Sequence, residues 1–144
     1  VDLAISNTMY TSRHGPHLIN PYDQRSIDEA FEQWFLPYEL APREAALLAT
    51  ELVISVPYTS VGLIGVRSTW ARLGVVSPLT IVDPGFEGIL TLEIFNASGN
   101  FIKVSPGDEI FSLTLVPAET GTKPYSGRYQ GQSLLTLAKA LERK

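Results

Sequence analysis

Leu79-Thr80-Ile81-Val82, Gly88 to Asn96, Phe101-Ile102-Lys103-Val104 and Glu109 to Val116 are four short runs rich in β-branched and aromatic residues. Three turn sequences part them: Asp83-Pro84-Gly85, Ala97-Ser98-Gly99-Asn100 and Ser105-Pro106-Gly107-Asp108. Proline presets φ for a turn, glycine supplies positive φ, and Asn, Asp and Ser hydrogen-bond their own backbone, so each punctuation has a mechanism. Short strands at such intervals predict an all-β chain folded as a barrel, sandwich or jelly roll. Within Ile89 to Phe95 the alternation is strict: Leu90, Leu92 and Ile94 share one face, Thr91, Glu93 and Phe95 the other. Glu93 is the exception to an otherwise apolar run. A buried, unpaired carboxylate costs several kcal/mol, so Glu93 is expected to point away from the apolar face, into a cleft or interface, or else to be an ordinary exposed strand residue. Asp83 stands ten residues upstream, beside the turn, so two carboxylates are placed to border one site.

Working outward, Val1 to Ser6 alternates as a strand and starts abruptly, as though sequence preceded it. Thr8 to Tyr22 reads as loop, rich in His, Gly, Pro and Asn. Its His14 and His17 are separated by Gly15-Pro16, which argues against a shared helix face and a metal site. Ser26 to Phe35 reads as a helix, with Ser26 and Glu29 as a capping box and Ile27, Ala30, Phe31 and Trp34 at helical spacing. Leu47 to Val56 and Ser60 to Val66 read as strands around a Pro57-Tyr58 turn. Arg67 to Leu73 reads as a short helix stopped by Gly74, and Ser133 to Lys144 as a final helical turn or two.

The chain has 144 residues, 44% hydrophobic and 18% charged, as expected for one compact domain. Its net charge of −4 and pI near 5.1 argue against a broad nucleic-acid footprint, while leaving room for a local basic pocket. No cysteine is present, which excludes disulfides, thiol nucleophiles and the zinc-thiolate sites of many deaminases. No apolar run approaches about eighteen residues and no signal peptide opens the chain, so no membrane partner is expected and cytoplasm is the expected location.

Arg67-Ser68-Thr69 with Arg72 sets two guanidinium groups and two hydroxyls within six residues. On a helix, Ser68 and Arg72 share a face, and arginine forks suit phosphate oxygens. By themselves these residues fit a solvated surface as well. The stretch Ser126-Gly127-Arg128-Tyr129-Gln130-Gly131-Gln132 has the composition of an arm closing over a ligand, or of a plain linker.

Taken in order, Val1-Asp2-Leu3, Leu36-Pro37, Ala46 to Glu51, Arg67 to Gly74, Ile81 to Gly88, Leu90 to Ile94, Pro106 to Ile110 and Tyr125 to Gln132 resemble the dCTP deaminase and trimeric dUTPase superfamily across essentially the whole chain. The resemblance implies a distorted β-barrel or jelly-roll subunit (a dUTPase-like β-clip with short helices) as one domain over residues 1–144, with a closing tail from about residue 125. It further implies a homotrimer with active sites between neighbours, binding dCTP or dUTP as the magnesium complex without zinc. Ser68 and Arg72 match residues that activate water or contact the nucleotide, Arg67 and Thr69 accompany them at the phosphates, and Asp83 matches the aspartate that orients water in dUTPases. Glu93 matches the proton shuttle of the deaminases, where plain dUTPases usually carry an apolar residue. Phe86 stands where dUTPases favour a tyrosine under the sugar. Tyr129 and Gln132 match the deaminase closing tail, and Arg128 adds a charge there.

The departures are informative. The dUTPase glycine-rich C-terminal motif is replaced by Gln130 to Gln132, and Ser112 stands where glutamine is usual. The loop from Gly74 to Asp83 is short, as in archaeal-type members. A leading segment usual before the Asp2 motif is missing, which implies a trimmed chain. With both carboxylates present, the expected activity is deamination of dCTP to dUTP, with hydrolysis of dUTP to dUMP and pyrophosphate as a second step. The alternative is a monofunctional dUTP diphosphatase, and a more distant one is a non-catalytic nucleotide-binding trimer.

Overall fold

The computed structural model describes residues 1–13, 15–119, 123 and 125–143; His14, the first of the two loop histidines, lies outside the described residues. Twelve strands and two short helices follow in order: β1 (Asp2–Ser12), α1 (Gln24–Glu29), β2 (Phe31–Phe35), β3 (Tyr38–Leu40), β4 (Ala45–Thr50), β5 (Ile54–Ser55), β6 (Ser60–Val66), α2 (Ser68–Leu73), β7 (Val75–Val76), β8 (Thr80–Val82), β9 (Glu87–Gly88), β10 (Thr91–Asn96), β11 (Ile102–Val104) and β12 (Glu109–Pro117). The all-β expectation holds. One large antiparallel sheet runs β7-β10-β4-β1-β12-β6-β8, with β2 added beside β1, and two small sheets pair β3 with β11 and β5 with β9.

Strand β1 joins the halves of the large sheet. Asp2 to Ala4 pair with β12, and Ile5 to Thr11 pair with β4. Irregularities fall between Leu3 and Ala4 and between Ile5 and Met9. Such bulges bend and twist a strand, and the sheet curls into a half-barrel. The core fills its inside with Met9, Leu48, Leu92, Ile94, Ile64, Ile110 and Phe111, all essentially inaccessible. Leu92 and Ile94 enter the core as their alternation predicts, and Glu93 faces the other way.

Five stretches differ from the sequence expectations. The segment 26–35 is not one helix: α1 ends at Glu29, and Phe31 to Phe35 form β2, in register from Ser12↔Phe31 to Thr8↔Phe35. An aromatic-rich pentapeptide fits a pleated surface well, and an open strand edge outcompetes two further helical turns. The N-cap is Asp23, whose carboxylate accepts from the Arg25 amide at 3.1 Å, while Ser26 Oγ accepts from the Asn20 amide at 2.9 Å. Residues Thr8 to Ser12, expected as loop, continue β1, because β2 and β4 satisfy both of its edges. The expected strand 47–56 breaks after Thr50, whose hydroxyl donates to the Leu52 carbonyl at 2.9 Å and turns the chain; likewise 88–96 divides into β9 and β10 around Ile89 and Leu90. Residues 133–143 form no helix but an extended strap, for reasons described next.

Candidate active site

The face of the large sheet that bears Glu93 lies opposite the core. Across it, register aligns Gln33 of β2, Tyr10 of β1, Leu47 of β4 and Glu93 of β10 in one row. The C-terminal segment crosses this face instead of coiling, because the sheet offers it an apolar seat: Leu135 is 5% exposed, packed with Ala49 and Ile89 against Tyr10 and Leu47. Between the sheet and this segment lies a cleft of about 380 Å³.

Asp83, Phe86 and Glu93 line the cleft from the sheet side, and Tyr125, Tyr129 and Gln132 from the tail. Asp83 and Glu93 are exposed in their strands and turns, and among the described residues neither carboxylate has a side-chain hydrogen bond or ion pair. Phe86 is buried, its ring 5.5 Å from that of Tyr125 at an interplanar angle of 59°. The walls are thus mainly aromatic and aliphatic, with a small set of convergent polar groups, as a small-molecule site requires.

The tail is fastened to the Asp83 turn by its own amides. The Tyr125 amide donates to the Pro84 carbonyl at 2.7 Å. Gln130 bridges the turn both ways, donating from Nε2 to the Gly85 carbonyl and accepting the Glu87 amide at Oε1, each at 2.9 Å. The Gly131 amide donates to Glu87, and the Ile89 amide to Gln132. Gly88 permits this approach, since a Cβ there would lie 3.0 Å from both backbone N and O of Gln132.

The expected set therefore divides. Asp83, Phe86, Glu93, Tyr129 and Gln132 converge on the cleft; Arg67, Ser68, Thr69, Arg72 and Arg128 do not line it. Helix α2 has no buried residue, and it presents Ser68 and Arg72 to solvent. Arg67 at its N-terminus bonds Asp2 at 3.2 Å and Glu109 at 3.0 Å. Arg128 donates to the carbonyls of Lys139 and Ala140. Among the described residues, no arginine or lysine lines the cleft.

Residues 1–117 match the family model for dCTP deaminase-like proteins. The chain belongs to that family. It is similar to the dCTP deaminase of Aeropyrum pernix, 46% identical over 101 residues that cover 69% of this chain and 56% of the relative. The dCTP deaminase of Metallosphaera sedula is 36% identical over 130 residues, covering 80% and 73%. The chain thus spans little more than half of the Aeropyrum relative. Among solved structures, 2′-deoxycytidine 5′-triphosphate deaminase from Agrobacterium tumefaciens superposes with a TM-score of 0.64 at 16% identity, over 80% of this chain and 36% of that one. A mutant dUTPase from phage phi11 of S. aureus, whose structure concerns a structural Mg(II) ion, superposes at 0.51 with 22% identity, over 62% and 76%. These two likenesses give the fold: the curled sheet is shared with dUTPases and dCTP deaminases.

In this member of the dCTP deaminase-like family, the cleft also recruits residues that sequence reading did not single out. Tyr125 roofs Phe86, and Gln130 holds the turn. Phe31 lines the cleft only because β2 is a strand. Leu137 and Ala138 line it because the strap is extended. The amide side chain of Gln130 was a visible signal; the others depended on elements whose type local sequence misassigns.

Proposed function

We propose that this chain is the subunit of a homotrimeric, zinc-independent enzyme that deaminates dCTP to dUTP, with cleavage of dUTP to dUMP and pyrophosphate as a second step. The observation that carries this reading is the pair of unpartnered carboxylates, Glu93 and Asp83, opening into one aromatic-walled cleft. The names of the relatives support the choice of nucleotide. In deamination, Glu93 takes a proton from water as the oxygen adds to C4 of the cytosine ring. The same carboxyl returns a proton toward the departing amino group, so ammonia leaves and a 4-keto pyrimidine remains. Phe86 and Tyr125 supply aromatic surface for base and sugar. Asp83 suits the other reaction, orienting water toward the α-phosphorus.

Magnesium fits as a companion of the triphosphate. It prefers oxygen ligands, keeps several waters and is held by one or two carboxylates plus substrate phosphates; among the described residues the cleft offers exposed carboxylates and no histidine. When bound, the ion offsets phosphate charge.

Charge supports a site shared between chains. A cleft with two carboxylates and, among the described residues, no lining cation is a poor seat for a triphosphate. Ser68 and Arg72, exposed on α2, are the groups a neighbouring subunit would bring. An uncharged strand face supports such contact: Leu63 of β6 pairs with Ile81 of β8 and with Thr114 of β12, and Ile81 is 62% exposed. Closed symmetry then completes each site from two chains.

Incubating the protein with magnesium and dCTP, then dUTP, and measuring ammonia and pyrophosphate tests the reading. Glu93→Gln should abolish ammonia release while nucleotide still binds, since an amide keeps the shape but cannot shuttle protons. Asp83→Asn should lose pyrophosphate release and keep deamination. Wild-type protein that cleaves dUTP yet never releases ammonia from dCTP would make it a monofunctional dUTP diphosphatase, and binding without either product a non-catalytic trimer.

A further inference from the structure

The strap beyond Gln132 is tied down at several points: Arg128 donates to the Lys139 and Ala140 carbonyls, the Lys139 amide to the Tyr129 hydroxyl and the Leu141 amide to the Pro21 carbonyl, and two further fixings flank the cleft. Thr91 Oγ1 accepts two hydrogen bonds from the tail, from Gln132 Nε2 at 2.9 Å and from the Thr136 amide at 3.2 Å. Thr91 lies two residues before Glu93 on the same face of β10. Further along, the Gln24 side chain on α1 holds the strap's backbone both ways: Nε2 donates to the Ala138 carbonyl at 2.9 Å, and Oε1 accepts the Ala140 amide at 2.8 Å. Leu137 and Ala138, which close the cleft, form the arc between these two fixings.

Behind the arc lies a second, shallower hollow of about 500 Å³, walled by Tyr10, Gln24 and Asp28 together with the strap itself. The arc is thus not pressed against a packed layer. Its apolar anchor, Leu135, sits just before it, so the polar fixings decide where the arc stands. We infer that Thr91 and Gln24 are positioning residues that seat the strap as the outer wall of the cleft. Thr91 ties that wall to the very strand that carries Glu93. That apolar wall, Leu137 and Ala138, bounds the width available to a flat pyrimidine ring. The effect on substrate rests on the proposed nucleotide chemistry; the seating of the wall does not.

Amide hydrogen exchange and steady-state kinetics on the intact protein separate the two statements. Replacing a neutral hydrogen bond by none typically changes a local equilibrium about threefold to tenfold. Thr91→Val, which keeps the shape and removes the hydroxyl, should speed exchange of the Thr136 amide by that order, and Thr91→Ser should restore protection. Gln24→Ala, at an exposed position where folding is not at stake, should speed exchange at Ala140. Both Thr91→Val and Gln24→Ala should raise KM for dCTP or dUTP by a similar factor while kcat stays within about twofold. Unchanged exchange at Thr136 and Ala140 would overturn the inference, and so would faster exchange with an unaltered KM. Wild-type protein inactive on both nucleotides would defeat the proposed function, and the exchange rates would then decide the seating alone.

Discussion

Glu93 in the large sheet and Tyr38 in the small β3–β11 sheet show how differently a polar side chain can be placed on a strand. Glu93 is left open to the cleft, whereas Tyr38 is put to structural use. Its hydroxyl donates to Glu44 Oε2 at 3.0 Å, while Glu44 Oε1 accepts the Ala41 amide, closing the turn between β3 and β4. Burial, and next the hydrogen bond to Glu44, push the Tyr38 phenol from 10.0 up to about 12. The sign follows from linkage. Below pH 10 the phenol is protonated in folded and unfolded chains alike; between 10 and about 12 only the unfolded chain releases the proton, so this contribution to stability is lost as pH rises through that window. Spectrophotometric titration should show a late-ionising phenol that is absent in Tyr38→Phe. The denaturation midpoint of the wild type should fall more steeply than that of the variant across the same window.

Helix α2 is short, rests its partly buried Trp70 on the core and is tied at both ends. At its start Arg67 bonds two carboxylates and its amide donates to the Ile110 carbonyl at 2.8 Å. At its end Gly74 adopts φ 103°, and its carbonyl accepts the Ala97 amide at 2.9 Å, tying the helix to the turn after β10. A Cβ at Gly74 would lie 2.7 Å from Ser98 Cβ. Gly74→Ala therefore combines a left-handed backbone with a steric clash, and should cost more than about 1 kcal/mol in urea denaturation. If α2 carries phosphate-binding groups to a neighbour's cleft, the same variant should also weaken nucleotide binding. Arg72→Ala should weaken it without loss of stability, by about tenfold to a hundredfold for one charge-assisted hydrogen bond.

The arrangement of the entire molecule sets the cleft carboxylates Asp83 and Glu93 apart from the Arg72 guanidinium within one chain. If sites are shared between chains, each active site joins the Glu93 cleft of one chain to the Arg72 helix of the next. Mixing Arg72→Ala and Glu93→Gln chains, unfolded and refolded together in equal amounts, should then rescue activity at low substrate to about a quarter of wild type, the random fraction of sites with both halves intact. No rescue, or a stable monomer by light scattering, would place the complete site in one chain. Such a monomer would have to move Arg72 to its own cleft, which α2, fixed at both ends, does not favour.

The turns at Asp83-Pro84-Gly85 and Ser105-Pro106-Gly107-Asp108, the helix stop at Gly74 and the outward face of Glu93 were all legible locally, because each depends on backbone preference or on alternation over a few residues. So was the nearness of Asp83 to Glu93, ten residues apart, which line one cleft. Phe31 to Phe35 was not legible: its apolar spacing suits a helix and a strand alike, and only the open edge of β1 decided between them. Residues 133–143 were misassigned for a related reason, as their leucines fit a helical stripe until the sheet face beneath offers Leu135 a seat. The sequence alone determined which chemical groups this protein carries and how they are spaced along the chain. The tertiary structure decided which of them face one another, because hydrogen-bonded strand edges and buried apolar contacts between distant segments outweigh the weak local preferences of the residues involved.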